Sequence, residues 1–270
     1  MSVVSPQVGA VVCFGEALMR LDTPGCQRFV QADSFYASYT GGEPNVAVAL
    51  ALWGLNSRLV SKVPAHDLGD ACLNYYRRYG VDTGFVARGG DRLGIFFVET
   101  GRSQRGPRVI YDRSHSSFRG VEPDDFDWNA ILEGASWFHF SGTAPALGDR
   151  VRTVLRTALA ECRRRGVRVS FDCSYRSALW SLDEAAQAFA PLMEFVDVYF
   201  GSEQDARQFF GITSEGEQNQ RDLRAKYEFE GVAYTTRDVL PTGINRYSAS
   251  VLIGDELVTT PVYDIDVVDR

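Results

Sequence analysis

Apolar side chains fall on consecutive positions in six short runs: VVCF at 11–14, RLVSKV at 58–63, SWFHFSG at 136–142, VRVSFD at 167–172, VDVYFGS at 196–202 and VAYTT at 232–236. Runs of this length without strict alternation read as strands covered on both faces. A helical period fills the gaps between them. In 149–165, Val151, Val154, Leu155, Ala158, Leu159 and Cys162 share one face, with Asp149 placed to cap the start and Gly166 to end it. Residues 44–53, 68–79 and 183–195 carry the same signal, and Gly54 and Gly80 close the first two. Strand–helix alternation of this kind predicts an α/β fold with a mainly parallel sheet and helices on both sides.

Two stretches break the alternation. Residues 16–40 and 93–113 alternate apolar and polar positions, and ETGRSQRGP within the second reads as a hairpin tip. They predict antiparallel strands inserted at an edge, as a lid would be. The polar segment 213–222 reads as a loop, too short to separate domains, so 1–270 is taken as one α/β domain.

Composition then excludes whole classes. With 17 Phe, 12 Tyr and 4 Trp in 270 residues the chain has ample material for a core, which rules out disorder. No window approaches the ~18 uninterrupted apolar residues of a membrane span, and the first ten residues carry no basic signal-peptide region. A soluble, cytoplasmic protein is expected. The net charge of -7 argues against nucleic acid as a partner. Five cysteines, none in CxxC spacing, predict reduced thiols and no zinc site.

Three places could carry chemistry. GGEPN at 41–45 opens a small-residue helix whose free amides could face an oxygen-rich ligand, or could be an ordinary loop-to-helix junction. It is neither a dinucleotide fingerprint nor a Walker A loop. FDCSYR at 171–176 puts Tyr175 and Arg176 past the carboxyl end of a buried strand, where Arg176 could fork onto a carboxylate or form a surface ion pair. VIYDRSHSS at 109–117 sets Tyr111 and Arg113 on one face of a lid strand, with His115 solvated. His66 and His139 are isolated, His139 within a core strand.

Several long stretches resemble, in order, the ribokinase-like (PfkB) sugar kinases, and more narrowly the 2-keto-3-deoxygluconate kinases. They are FGEALMRLDTPG (14–25), RFVQADSFYASYTGGEPNVAVALALWG (28–54), RYGVDTGFVARGGDRLGIFFVETG (78–101), VIYDRSHSS (109–117), FDWNAILEGASWFHFSGTAPAL (126–147), FDCSYRSALW (171–180) and YDIDVVDR (263–270). The resemblance implies a three-layer α/β/α Rossmann-like sandwich with a small β-lid from 16–40 and 93–113. It implies an ATP- and Mg2+-dependent kinase of a keto sugar acid such as 2-keto-3-deoxygluconate, and a homo-oligomer formed through the lid. Residue by residue, it implies that Gly41, Gly42, Asn45, Tyr111, Arg113 and Arg176 bind the sugar acid, and that Ser202, Asp205, Thr235 and Arg237 line the nucleotide.

There are departures. Where the family reads Asn-Glu-x-Asp/Glu this chain has Ser202-Glu203-Gln204-Asp205, and Ser174 replaces an asparagine between Asp172 and Arg176. The family follows Val-Asp-Arg with a Gly-x-Gly-Asp turn that forms the anion hole and supplies the aspartate base. The sequence ends at Arg270, just short of that turn. No catalytic residue and no metal ligand is therefore assigned within 1–270, slow turnover is expected, and an apolar sheet face should be partly uncovered. Competing readings are a non-catalytic sugar-binding or regulatory relative, and a kinase for another sugar such as fructose or ribose. Arg113 and Arg176 weigh against a neutral sugar.

Overall fold

The computed structural model describes residues 9–102, 104–240 and 244–266. The chain divides into two compact units between Val167 and Arg168. The last four residues of the YDIDVVDR stretch, through Arg270, lie outside the described residues.

The first unit contains, in chain order, β1 (Ala10–Phe14), β2 (Leu18–Asp22), β3 (Tyr36–Thr40), α1 (Gly42–Leu52), β4 (Ser57–Val60), β5 (Lys62–Val63), α2 (Asp67–Arg77), β6 (Ala87–Arg88), β7 (Gly94–Glu99), β8 (Arg108–Asp112), α3 (Trp128–Ile131), β9 (Ala135–Ser141) and α4 (Asp149–Arg165). Strand β1 lies between β4 and β9 and pairs parallel with both. All five of its residues are buried, because both faces are covered. On one face Val11 and Cys13 join a cluster with Ala47 of α1 and Cys72, Leu73 and Tyr76 of α2. On the other, Phe14 meets Phe118, Phe126, Trp128 and Phe138, with ring centroids 5.2–6.2 Å apart.

The two irregular stretches form a separate four-stranded sheet in the order β3-β2-β7-β8. Its outer pairs are antiparallel and its central pair, β2 with β7, is parallel. The run 58–63 is not one strand. The chain leaves the central sheet at Ser61, whose buried hydroxyl accepts the Ala17 N–H, and β5 pairs instead with β6. Helix α4 begins one residue earlier than the capping reading: Gly148 is the N-cap, Asp149 the first helical residue, and Gly166 ends the helix as expected.

The second unit contains β10 (Arg168–Asp172), α5 (Leu182–Phe189), β11 (Val198–Gly201), α6 (Glu203–Phe210), α7 (Gly216–Tyr227), β12 (Gly231–Val239), β13 (Ile244–Ile253), β14 (Glu256–Thr259) and β15 (Tyr263–Asp266). Strands β10, β11 and β12 pair parallel, and β13 returns antiparallel against β12. Strands β14 and β15 both pair antiparallel with β13, leaving Ile253, Val258, Tyr263 and Ile265 exposed. The helix read over 183–195 stops at Phe189 and continues as a 3-10 turn. Pro191 has no N–H to extend the α-helical ladder.

The loop expected at 213–222 is mostly helix, the first half of α7. Its inward face uses amides where an apolar pattern was sought. Asn219 and Gln220 are buried. Asn219 accepts the Tyr234 hydroxyl at 2.7 Å and donates to the Ser214 carbonyl at 2.8 Å, while Gln220 donates to the Val232 carbonyl and accepts the Ser250 hydroxyl. Paired amides can occupy buried positions because their polar atoms are satisfied.

Candidate functional site

The Gly41–Gly42 turn joins β3 to α1. A Cβ on Gly41 would lie 2.3 Å from the Glu16 carbonyl oxygen, so only glycine allows this approach. The turn is held from below by Glu43, buried, whose carboxylate accepts the Ser141 N–H at 2.9 Å and hydroxyl at 2.6 Å. Gly42 and Asn45 remain exposed. Asn45 uses its side-chain oxygen to accept the Thr40 hydroxyl at 3.0 Å. The helix start therefore presents main-chain amides and the Asn45 NH2 group, suited to a hydroxyl-rich ligand.

Tyr111, on β8, is exposed and packs against Phe96, with ring centroids 5.6 Å apart. Arg113 follows the strand end, and its guanidinium carbon is 5.8 Å from the Tyr111 ring centroid, so the two share a face. Arg113 differs from the free cation its sequence position suggests. It is 9% exposed and paired with Glu16, itself 4% exposed. Nε and Nη2 both donate to Glu16 Oε2, Nε at 2.9 Å, and the Ser116 hydroxyl donates to Oε1. Beside this network lies a cleft of about 530 Å3, lined by Gly90, Asp91, Ser114–Gly120 except Phe118, and Arg150. His115 lines it, exposed as expected and at a left-handed φ of 55°. Ser117 is fixed there by its bond to the Arg92 carbonyl.

In the second unit, β10 ends at Asp172. Cys173 and Ser174 turn the chain, with Ser174 at φ 36° and its N–H donating to Asp172 Oδ1 at 3.0 Å. That left-handed position suits asparagine better than serine. Tyr175 is structural: its hydroxyl donates to the Trp180 carbonyl at 3.0 Å, and its ring lies 5.2 Å from that of Phe209. Arg176 is exposed, and its Nη1 donates to the Tyr175 carbonyl at 2.9 Å. No carboxylate forms a salt bridge with it among the described residues. Burial pushes the Asp172 carboxyl up; the Ser174 bonds and the Arg176 charge pull it back, and the Asp205 charge adds to the rise.

Ser202 caps α6. Its hydroxyl accepts the Asp205 N–H at 3.2 Å and donates to Asp205 Oδ2 at 2.6 Å. Thr235 and Arg237 lie in the outer, exposed half of β12. Among the described residues no group of three or more His, Cys, Asp and Glu side chains converges on a metal position, and no helix is long and apolar enough to cross a membrane.

The remaining histidines have structural places. His66 caps α2, its Nδ1 accepting the Leu68 N–H while Nε2 donates to the Asp91 carbonyl. Burial lowers His139 to about 4. All five cysteines are free thiols, with only Cys26 partly accessible. Glu16 and Ser116 were not singled out by sequence. The signal available was a lone acid closing the apolar run VVCFG.

A model of the pfkB family carbohydrate kinases matches residues 9–236. A 2-dehydro-3-deoxygalactonokinase of Haloferax volcanii is 32% identical over 96% of this chain and 79% of its own length. The crystal structure of a 2-dehydro-3-deoxygluconokinase of Thermotoga maritima superposes with a TM-score of 0.94 at 41% identity, over 97% of this chain and 82% of the other. A PfkB family carbohydrate kinase from Listeria grayi gives 0.91 at 34% identity, over 95% and 81%. With the glycine turn at the start of α1, the four-stranded second sheet and these matches together, the chain belongs to the pfkB family of carbohydrate kinases.

Proposed function

We propose that this chain is the kinase of a six-carbon 2-keto-3-deoxy sugar acid, transferring the γ-phosphoryl group of ATP to a substrate hydroxyl. The observation that carries the reading is Arg176: an exposed guanidinium past the carboxyl end of β10 that donates to the adjacent carbonyl, has no salt-bridge partner among the described residues, and is suited to taking a carboxylate. The names of the Haloferax and Thermotoga relatives support the same substrate class. In this reading Gly41, Gly42 and Asn45 hold sugar hydroxyls, Tyr111 and Arg113 contact the sugar acid from the second sheet, and Ser202, Asp205, Thr235 and Arg237 serve the nucleotide. Phosphoryl transfer is chiefly positioning and charge stabilisation, and these fixed donors supply the positioning, with no catalytic base among them. Asp172 and Asp205 offer hard oxygen donors of the kind Mg2+ accepts alongside phosphates and water, and would stand beside a nucleotide-borne ion. ATP is an intracellular substrate, which supports a cytoplasmic location.

The test is calorimetric titration of 2-keto-3-deoxygluconate, and of its galactonate epimer, into the wild-type and Arg176→Ala chains, with thermal melts in parallel. One charge-assisted contact contributes about 1.5–3 kcal/mol, so the variant should bind roughly ten- to a hundredfold more weakly. A neutral analogue with the carboxylate reduced to an alcohol should be nearly indifferent to the substitution. Unchanged sugar-acid affinity in a folded Arg176→Ala protein would sink the carboxylate grip. Tighter binding of ribose or fructose than of the sugar acid would move the chain to a neutral-sugar kinase.

The same reading includes self-association through the second sheet. Of the aromatics that the two lid stretches contribute, Phe35 and Tyr36 are exposed, whereas Phe29 and Phe96 are half-buried and Tyr39 packs against Tyr75 of α2. Edge strand β8 adds exposed Val109, Ile110 and Tyr111, an apolar edge that is stabilised by being covered. Light scattering at tens of micromolar should give a dimer; a strict monomer would remove this part of the reading.

A further inference from the structure

Four crossings connect the second sheet of the first unit with the rest of that unit, and all four meet at one residue. Glu16 lies in the first crossing, between β1 and β2. Gly41, in the crossing from β3 to α1, is pressed against the Glu16 main chain, where a Cβ would sit 2.3 Å from its carbonyl oxygen. Gly94 opens β7, and a Cβ there would lie 2.7 Å from Glu16 Oε1 and 3.1 Å from Arg113 Cβ. Arg113 and Ser116 leave β8, and both donate to the Glu16 carboxylate. Gly94 keeps open the space that the carboxylate occupies, and Gly41 keeps open the space against the Glu16 main chain.

The geometry at Arg113 is selective. A guanidinium offers two edges for paired donation, the Nε/Nη2 side and the Nη1/Nη2 end. Glu16 takes the Nε/Nη2 side through a single oxygen, and the Tyr111 ring lies near the guanidinium. The Nη1 end has no partner among the described residues. Glu16 thereby fixes which edge of Arg113 remains for a ligand, and it offsets the charge of a buried cation.

We propose that Glu16, steadied by Ser116, is the positioning residue of the sugar-acid site: it orients Arg113 so that the Nη1 end of the guanidinium meets the substrate. This rests on the reading of Arg113 as a sugar-acid contact. Glu16 touches no substrate itself and acts through Arg113, so its effect must vanish where Arg113 is absent.

The experiment is a double-substitution cycle in the full chain. Titration calorimetry with 2-keto-3-deoxygluconate compares wild type, Glu16→Gln, Arg113→Met, the double variant and Ser116→Ala, with a nonhydrolysable ATP analogue titrated in parallel. Glu16→Gln keeps the shape and loses the charge, and should weaken sugar-acid binding about tenfold, the scale of one charge-assisted contact. In the Arg113→Met background the same change should alter affinity less than about twofold, and the nucleotide affinity should not move in any variant. Should Glu16→Gln fail to fold, Ser116→Ala removes only the second hold and should still weaken the sugar acid about threefold. Wild-type-like sugar-acid affinity in the folded Glu16→Gln protein, or in Ser116→Ala where it alone folds, overturns the inference. So does an equal loss from Glu16→Gln with and without Arg113. A wild-type chain that takes up no sugar acid overturns the functional reading and this inference with it.

Discussion

Replacing Tyr234 with phenylalanine removes one oxygen, and the structure says what that oxygen supports. Its hydroxyl donates to Asn219 Oδ1 at 2.7 Å, in a place where Asn219 has no exposed surface and Tyr234 only 6%. The phenylalanine ring fills the same volume, so no cavity forms. What remains is a buried amide oxygen without a donor, and leaving such a group unsatisfied costs about 1–3 kcal/mol. For a chain of this size each kcal/mol corresponds to roughly 2–4 °C in melting temperature. Tyr234→Phe should therefore melt roughly 2–12 °C lower. Asn219→Leu should cost more, because it strands both the Tyr234 hydroxyl and the Ser214 carbonyl that the amide now serves. The double variant removes both partners of the 2.7 Å bond and should recover at least about 1 kcal/mol relative to the sum of the single losses. Urea titrations followed by circular dichroism give the four free energies. Additive losses, or a Tyr234→Phe protein within about 0.5 kcal/mol of wild type, would refute the claim that α7 is docked by its amides.

Acidification should act through His139. Burial lowers it to about 4 against an ordinary 6.5, so between those values the unfolded chain binds a proton that the native chain does not. Stability then falls as pH drops through that window, by about 2 kcal/mol at pH ~5, and His139→Gln should flatten this part of a stability–pH curve. Native thiol titration with a disulfide reagent should find one fast-reacting cysteine, Cys26, and release the other four only on unfolding. Burial holds Cys72 up at about 12 and raises Cys13 and Cys173 as well, keeping all three as unreactive thiols. Gly94→Ala should cost about 1–3 kcal/mol by overpacking against Leu18, Glu16 and Arg113; a melt unchanged from wild type would show that the crossing has room to spare.

Sequence periodicity found the strands whose two faces are both apolar. β1, β9 and β10 are legible because nothing but a covered strand tolerates consecutive buried residues such as Val12, Cys13 and Phe14. The second sheet was legible for the opposite reason, its alternation. Helix α7 was not, since Asn219 and Gln220 occupy its inward face and a hydropathy pattern scores them as solvent. Its docking depends on partners some 12–30 residues ahead, Val232, Tyr234 and Ser250, which no local window contains. The candidate site divides in the same way. Gly41, Gly42 and Arg176 announced themselves by local chemistry, whereas the state of Arg113 is set by Glu16, 97 positions earlier. Local pattern gives a side chain its type and its element. Whether its charge is free or already engaged is decided by distant chain that folds back upon it.

The parallel pairing of β2 with β7 also bears on how the molecule comes to be made. Leu18 lies opposite Gly94 in that register, and on the other side of the crossing Val12 lies opposite Phe138. At a synthesis rate of about 5–20 residues per second, β2 waits several seconds for β7, and β1, with β4 already made, waits longer still for β9. The β2–β3 hairpin that could form meanwhile is a two-stranded ribbon, marginal by itself in water. Strands β1 and β2 thus leave the ribosome well before the strands that complete their pairing. A newly made chain holds them as incompletely paired, partly apolar ribbons until β7 and then β9 arrive, which makes these strands the natural point of engagement for a chaperone.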